Sequence, residues 1–142
     1  MKKTTVTEKT NEKTTVTERA VGRRKTAAAR IRLSPGTGVV TVNGKPLAAY
    51  FPVALWQREV LSPLTVTGKE KDFDISAKVV GGGLHGQALA VRHGIARVLV
   101  SWNAELKPVL KAEGYMTRDP RAKERKKFGK HRARRGHQWR KR

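Results

Sequence analysis

The feature that most limits how this chain can fold is an apolar stripe that follows three consecutive glycines, Gly81, Gly82 and Gly83. Leu84, Ala88, Val91, Ile95, Val98 and Trp102 recur at alternating spacings of four and three, the period of one face of an α-helix. A helix striped in this way has to lie against another surface. At about 100° per residue, Gly86, Ala90, His93 and Arg97 fall on its opposite face, which is small and basic. Strand-like runs supply the surface for the stripe. Residues 26–33 alternate small or apolar side chains with Arg30 and Arg32, and residues 73–80 place Phe73, Ile75, Ala77 and Val79 on one face. A turn at Ser34-Pro35-Gly36 leads to the β-branched run Val39-Val40-Thr41-Val42, which meets Asn43-Gly44. That pair favours a two-residue hairpin turn because both residues tolerate positive φ. After Tyr50-Phe51-Pro52, residues 52–61 read as a short helix with Val53, Leu55, Trp56 and Val60 available to the core. Asn103 suits the cap of a further helix through Leu106, Val109 and Leu110, interrupted by Pro108 and stopped by Gly114. The expected class is α+β.

This periodicity sets the domain limits. A chain of 142 residues accommodates one ordinary core with extensions, and the pattern confines that core to residues 21–114. Residues 1–20 contain the repeat Lys-Thr-Thr-Val-Thr-Glu at 3–8 and again at 13–18. Two copies make no solenoid, and with few large apolar side chains the segment reads as a mobile extension. Residues 115–142 form a basic tail. Its portion 121–142 holds twelve Lys or Arg and one acid, Glu124; Phe128 and Trp139 are too few and too far apart for a core, and mutual repulsion favours an extended chain.

Charge narrows the function. Thirty-two Lys and Arg against 11 Asp and Glu give a net charge of +21, the footprint of a chain that neutralises phosphates and releases their counterions. No stretch approaches the roughly 20 apolar residues of a membrane span. Residues 1–20 lack the apolar core of a signal peptide, and Glu8, Glu12 and Glu18 are wrong for a mitochondrial presequence. The expected compartment is the cytoplasm. The chain has no cysteine, which excludes disulfides, thiol catalysis and thiolate-bound zinc.

Other motifs have less specific readings. Gly81-Gly82-Gly83-Leu84-His85-Gly86 fits the dinucleotide fingerprint between a strand and a helix, but Glu105 falls in a helical pattern and no second βαβ strand follows. A tight strand-to-helix turn accounts for the glycines, and it also lets backbone approach phosphate closely. His85, His93, His131 and His137 lack a neighbouring acid or third ligand at metal spacing, so no metal and no cofactor is expected. Interleaved with arginine, they suit hydrogen bonding or stacking on RNA. Trp56 and Trp102 fit packing positions, whereas Trp139 has no core available and suits a nucleotide contact. A localisation signal or nonspecific polycation would explain the tail alone. Neither explains the basic residues that also mark the folded part, at Arg23, Arg24, Lys25, Arg30, Arg92 and Arg97.

Several short motifs together resemble the family of the ninth small-subunit ribosomal protein. They are Gly22-Arg-Arg-Lys-Thr26, Thr41-Val-Asn-Gly44, Tyr50-Phe-Pro52, Gly81-Gly-Gly83 with Gly86-Gln87, Arg92-His-Gly-Ile-Ala-Arg97, and Thr117-Arg-Asp119 leading to Glu124-Arg-Lys-Lys-Phe-Gly129. They run in the family's order over residues 21–142. The resemblance implies a structural protein and not an enzyme, with a four-stranded sheet, seated on the 3′ major domain of ribosomal RNA in the head of the small subunit. It implies neighbouring ribosomal proteins and a tail directed at peptidyl-site transfer RNA, with Lys141-Arg142 matching the family's ending. Trp139 stands where Phe is usual, and Arg140 where bacterial members commonly have a small polar residue. The expected ribosomal RNA contacts are Arg23, Arg24, Lys25, Arg92, His93 and Arg97 on the domain and Arg125, Lys126, Lys127, Lys130, Arg132, Arg134 and Arg135 on the tail. Trp139, Arg140, Lys141 and Arg142 are expected near transfer RNA. The alternative is a free nucleic-acid-binding or regulatory module outside the ribosome.

Overall fold

The computed structural model describes residues 17–141. The repeated segment therefore lies almost wholly outside the described residues, as does Arg142. Five strands and four helices form an α+β domain: β1 (Glu18–Arg24), β2 (Ala27–Pro35), β3 (Val40–Val42), β4 (Lys45–Pro46), α1 (Leu47–Tyr50), α2 (Ala54–Thr67), β5 (Phe73–Val80), α3 (Leu84–Trp102) and α4 (Lys107–Ala112), with a 3₁₀ turn at Ala104–Leu106 before α4. The sheet order is β1-β2-β5-β3-β4. Only β3 and β5 run parallel, because the chain between them returns through α1 and α2 instead of a tight turn. The sheet has one strand more than the four implied by resemblance, and β4 is two residues long. β1 begins at Glu18, ahead of the expected boundary at residue 21.

The period-2 pattern sorts the sheet into two faces. Ala27, Ala29, Ile31 and Leu33 of β2 and Phe73, Ile75, Ala77 and Val79 of β5 are buried, with Arg30, Arg32, Ser76 and Lys78 exposed on the other side. The hairpin between β3 and β4 turns at Asn43 and Gly44, with φ of 50° and 78°, the left-handed pair that its twist requires. Asn43 also ties this turn to β5, donating to the Val79 carbonyl at 3.1 Å and accepting from the Val79 amide at 2.8 Å.

The helix α3 is buried more widely than its stripe alone requires. Ala88, Val91, Ile95 and Val98 are fully enclosed, and so are Ala90, Ala96 and Leu99, because β1 and β2 pack on one side and α2 on another. This corrects the expected helix faces. The small side holding Ala90 is not open; β1 lies on it. A Cβ added at Gly22 would stand 1.9 Å from the Ala90 carbonyl oxygen and 2.4 Å from the Gly94 amide nitrogen, so strand and helix meet through their backbones. His93 and Arg97 flank that contact. At the stripe's ends Leu84 and Trp102 are exposed, Trp102 resting edge-on against Phe73 with ring centroids 4.8 Å apart.

The helix α2 also differs from expectation, running past residue 61 with Pro63 inside it. Proline cannot donate to the carbonyl one turn back; the Ser62 hydroxyl donates to that carbonyl, Glu59 O, at 2.9 Å, and the helix continues until Gly68 ends it at φ 65°. Val60 and Leu64 reach the core, together with Phe51 and Leu110, whereas Val53 and Leu55 face outward. Asn103 caps the 3₁₀ turn by accepting from the Glu105 amide at 2.8 Å.

Candidate nucleic-acid interface

The free edge of β1 and the exposed flank of α3 form an open cleft lined by Val21, Arg23, His93, Arg97, Met116 and Arg118. Its floor is fixed by main-chain bonds. The Arg23 amide donates to His93 Nδ1 at 3.3 Å, and Arg97 donates to the Val21 carbonyl. Burial, reinforced by the Arg97 cation, lowers the pKa of His93. A neutral imidazole whose Nδ1 accepts that bond carries its proton on Nε2. Among the described residues no carboxylate lines the cleft, so the charges of Arg23, Arg97 and Arg118 act together on whatever enters.

The expected site residues divide by environment. Arg23 and Arg97 are exposed, and Lys25 is exposed at φ 52° in the turn from β1 to β2. Arg24 is 8% exposed; it pairs with Asp119 at 2.9 Å and donates to the Arg121 carbonyl at 2.7 Å. Arg92 is paired with Glu59 and lies over the Tyr115 ring, 5.1 Å from its centroid. Both therefore hold protein to protein, although the buried Arg24 Nε has no hydrogen-bond partner. Arg118, which the sequence reading did not single out as a site, stands in the cleft instead. It is the middle residue of the Thr117-Arg-Asp119 motif, but its place in the cleft depends on the chain returning to β1, which Arg24 and Asp119 bring about.

That return is the root of the tail. Asp119 accepts from the Arg121 amide at 2.9 Å and from the Arg121 side chain at 2.6 to 3.1 Å. Hydrogen bonding from Arg121 holds the Asp119 carboxyl well below the ordinary carboxylate range, and Asp119 in turn raises the Arg121 pKa. Beyond the root, residues 121–141 contain neither helix nor strand. Glu124 gathers Arg134 at 2.9 Å and Lys127 at 3.8 Å, and the His131 amide donates to the Arg135 carbonyl at 2.8 Å, folding back a local loop. His131 and His137 sit ring to ring at 4.2 Å. Arg125, Lys126, Lys130 and Arg132 are exposed, and Phe128 and Trp139 stand in solvent at 104% and 80% exposure. Arg140 and Lys141 are exposed beyond them. Among the described residues no group of three or more His, Asp or Glu is placed to hold a metal, and no helix is long and apolar enough to cross a membrane.

A helix-backed sheet with a cationic edge, continued by an exposed cationic tail, defines a polyanion-binding protein of the ribonucleoprotein class. The sequence profile described as Ribosomal protein S9/S16 matches residues 22–142. Over 122 residues the chain is 55% identical to the small ribosomal subunit protein uS9 of Gloeothece citriformis, covering 85% of this chain and 89% of the relative. The uS9 proteins of Trichormus variabilis and a Nostoc species are each 54% identical over 122 residues, covering 85% of this chain and 88% of theirs. The chain belongs to the ribosomal protein S9/S16 family.

Proposed function

We propose that this protein is a structural constituent of the small ribosomal subunit that binds 3′ major domain ribosomal RNA in the subunit head and extends its tail toward peptidyl-site transfer RNA during translation. The observation that carries the reading is the carboxylate-free cleft of Arg23, Arg97 and Arg118, with the tail rooted at the same strand edge by the bonds from Arg24 to Asp119 and the Arg121 carbonyl. Cleft and tail thus present cations along one continuous route, which suits a folded RNA backbone more than a small acidic ligand. Arg125, Lys126, Lys127, Lys130, Arg132, Arg134 and Arg135 supply the tail's phosphate contacts. Arg24 and Arg92 act by holding the tail's root and the helix pair in place. Trp139, Arg140, Lys141 and Arg142 form the tip. A fully extended chain covers ~3.3 to 3.6 Å per residue, so residues 130–142 reach up to about 40 Å from the loop. Family membership supports the subunit assignment, with neighbouring ribosomal proteins of the head as the further partners.

The test separates anchor from tip. Deleting Arg140, Lys141 and Arg142 leaves incorporation into the small subunit intact and weakens peptidyl-site transfer RNA binding, measured on subunits purified at matched occupancy. Equal transfer RNA affinity at several salt concentrations refutes the role of the tip. Failure of the full chain to sediment with the small subunit after a moderate salt wash refutes the ribosomal role itself and leaves a free nucleic-acid-binding module.

A further inference from the structure

All helices of the described domain that pack on the sheet lie on the face of Ala29, Ile31, Ile75 and Ala77, and among the described residues nothing covers the opposite face. Across that open face runs a groove lined by Arg19, Val21, Arg30, Arg32, Ser76 and Lys78 and ending at the hairpin turn of Asn43 and Gly44. The strand register sets its charge pattern. Arg19 stands directly opposite Arg32, and Arg30 directly opposite Lys78. Facing side chains on neighbouring strands are close enough to interact, and like charges so placed destabilise a sheet.

No compensating acid is present among the described strands. Asp74, the one carboxylate on this face, is engaged elsewhere: it accepts from the amides of Thr37, Gly38 and Val39 at 2.8 to 3.0 Å. The four cations make no ion pair among the described residues. A sheet that presents repelling cations in its own ground state is complementary to a polyanion.

We infer that this open sheet face is a second RNA seat, distinct from the cleft at the edge of β1, and that it binds the phosphate backbone of a folded RNA segment. The inference deepens the ribosomal RNA-binding reading and rests on it. The chemistry selects the kind of RNA contact. The face carries Arg, Lys, Ser and Thr and no aromatic side chain, so it lacks the stacking platform by which sheets hold splayed single-stranded bases. Guanidiniums, an ammonium and the Ser76 hydroxyl suit phosphate oxygens and ribose hydroxyls along a helix backbone. Val21 borders both the groove and the cleft, so the two seats adjoin along β1.

The experiment uses the full chain and a transcript of small-subunit ribosomal RNA, comparing the wild type with two variants: Arg30→Gln, Arg32→Gln and Lys78→Gln combined, and Arg23→Gln and Arg97→Gln combined. Thermal unfolding checks each fold, with the sheet variant expected to be at least as stable as the wild type because repulsion is relieved. Affinity of the sheet variant falls about tenfold, and its slope of log K against log salt becomes shallower by roughly one per cation removed. Hydroxyl-radical footprinting shows lost protection at ribose positions separate from those lost in the cleft variant. A folded sheet variant with unchanged slope and footprint overturns the second seat while leaving the cleft reading intact, provided the cleft variant weakens binding. If it enters the subunit poorly with an unchanged footprint, a protein occupant replaces RNA and the inference also fails. A wild-type chain that does not bind the transcript overturns both readings.

Discussion

The folded domain and the tail both draw on arginine, yet they handle its charge differently. Inside the domain Arg24 and Arg92 are placed against Asp119 and Glu59, so their desolvation is offset within the chain. Past Arg121, which pairs with Asp119, the cations of residues 122–141 share Glu124 and little else. The domain is thus a folded object that presents some charge, while the tail is a charged segment without helix or strand. Where acids are interleaved with bases, the chain determines its own structure; where they are missing, structure is deferred to a partner.

The largest effect that could break this contrast is a charge placed in the core. Val91 has no exposure, and Val91→Asp should cost the domain several kcal/mol, on the order of 3 to 5, unless the carboxyl protonates. Circular dichroism should show loss of cooperative unfolding. Gly22→Val should approach that loss, because Ala90 and Gly94 leave no room for a side chain. Native-like melting of either variant would show that β1 and α3 are not the domain's centre.

Removing residues 130–142 tests the other side. The melting temperature should stay within a few degrees of the full chain, while affinity for small-subunit ribosomal RNA at 0.1 M salt falls by about ten- to a hundredfold with a shallower salt slope. A collapse in melting temperature would mean that the tail is part of the fold. Arg97→Ala should have a smaller effect, about three- to tenfold in RNA affinity, with at most ~1 kcal/mol lost from stability through the bond to Val21.

Titration gives the smallest signals. Asp119 has a folded pKa held below its unfolded value near 3.9. Its contribution is therefore present above that value and is lost as pH falls through the folded pKa. Hydrogen exchange at the Arg121 amide, which donates to Asp119, should lose protection in strong acid relative to its intrinsic rate, and Asp119→Asn should show faster tryptic cleavage at Arg118 and Arg121 already at neutral pH. His93 is a base with a lowered pKa. The unfolded chain takes up its proton first, near pH 6.5, so stability declines slightly as pH drops below that value. His93→Gln should flatten this dependence in denaturant melts at pH 5.5 and 7.5.

What was legible in the sequence follows the strength of local signals. The stripe from Ala88 to Val98 and the alternation of β5 predict their elements because apolar side chains recur there at the period of a helix face and of a strand face. β1 carries no such mark. Its inward residues are Glu18, Ala20, Gly22 and Arg24, and it is a strand because β2 pairs with it and α3 lies against Gly22. The length of α2 was hidden by Pro63, since nothing in the spacing shows that Ser62 supplies the missing donor. Among the proposed site residues, Arg23 and Arg97 stand out in the sequence by charge and motif. The internal engagement of Arg24 and Arg92 depends on acids distant in sequence. The alternation of Arg30 and Arg32 puts them on one face, but only the register brings Arg19 and Lys78 beside them.

The way β1 is finished bears on the chain before it meets its partners. An edge strand offers a row of unpaired amides and carbonyls to any other extended segment, and a newly made polypeptide is most vulnerable to ribbon-like self-association at such an edge. Here the Arg23 amide is taken by His93 and the Val21 carbonyl by Arg97. The opposite edge, β4, is two residues long and ends in Pro46, which has no amide hydrogen to offer. Among the described residues, both margins of the sheet are therefore poorer templates for strand addition than a long, bare edge strand would be.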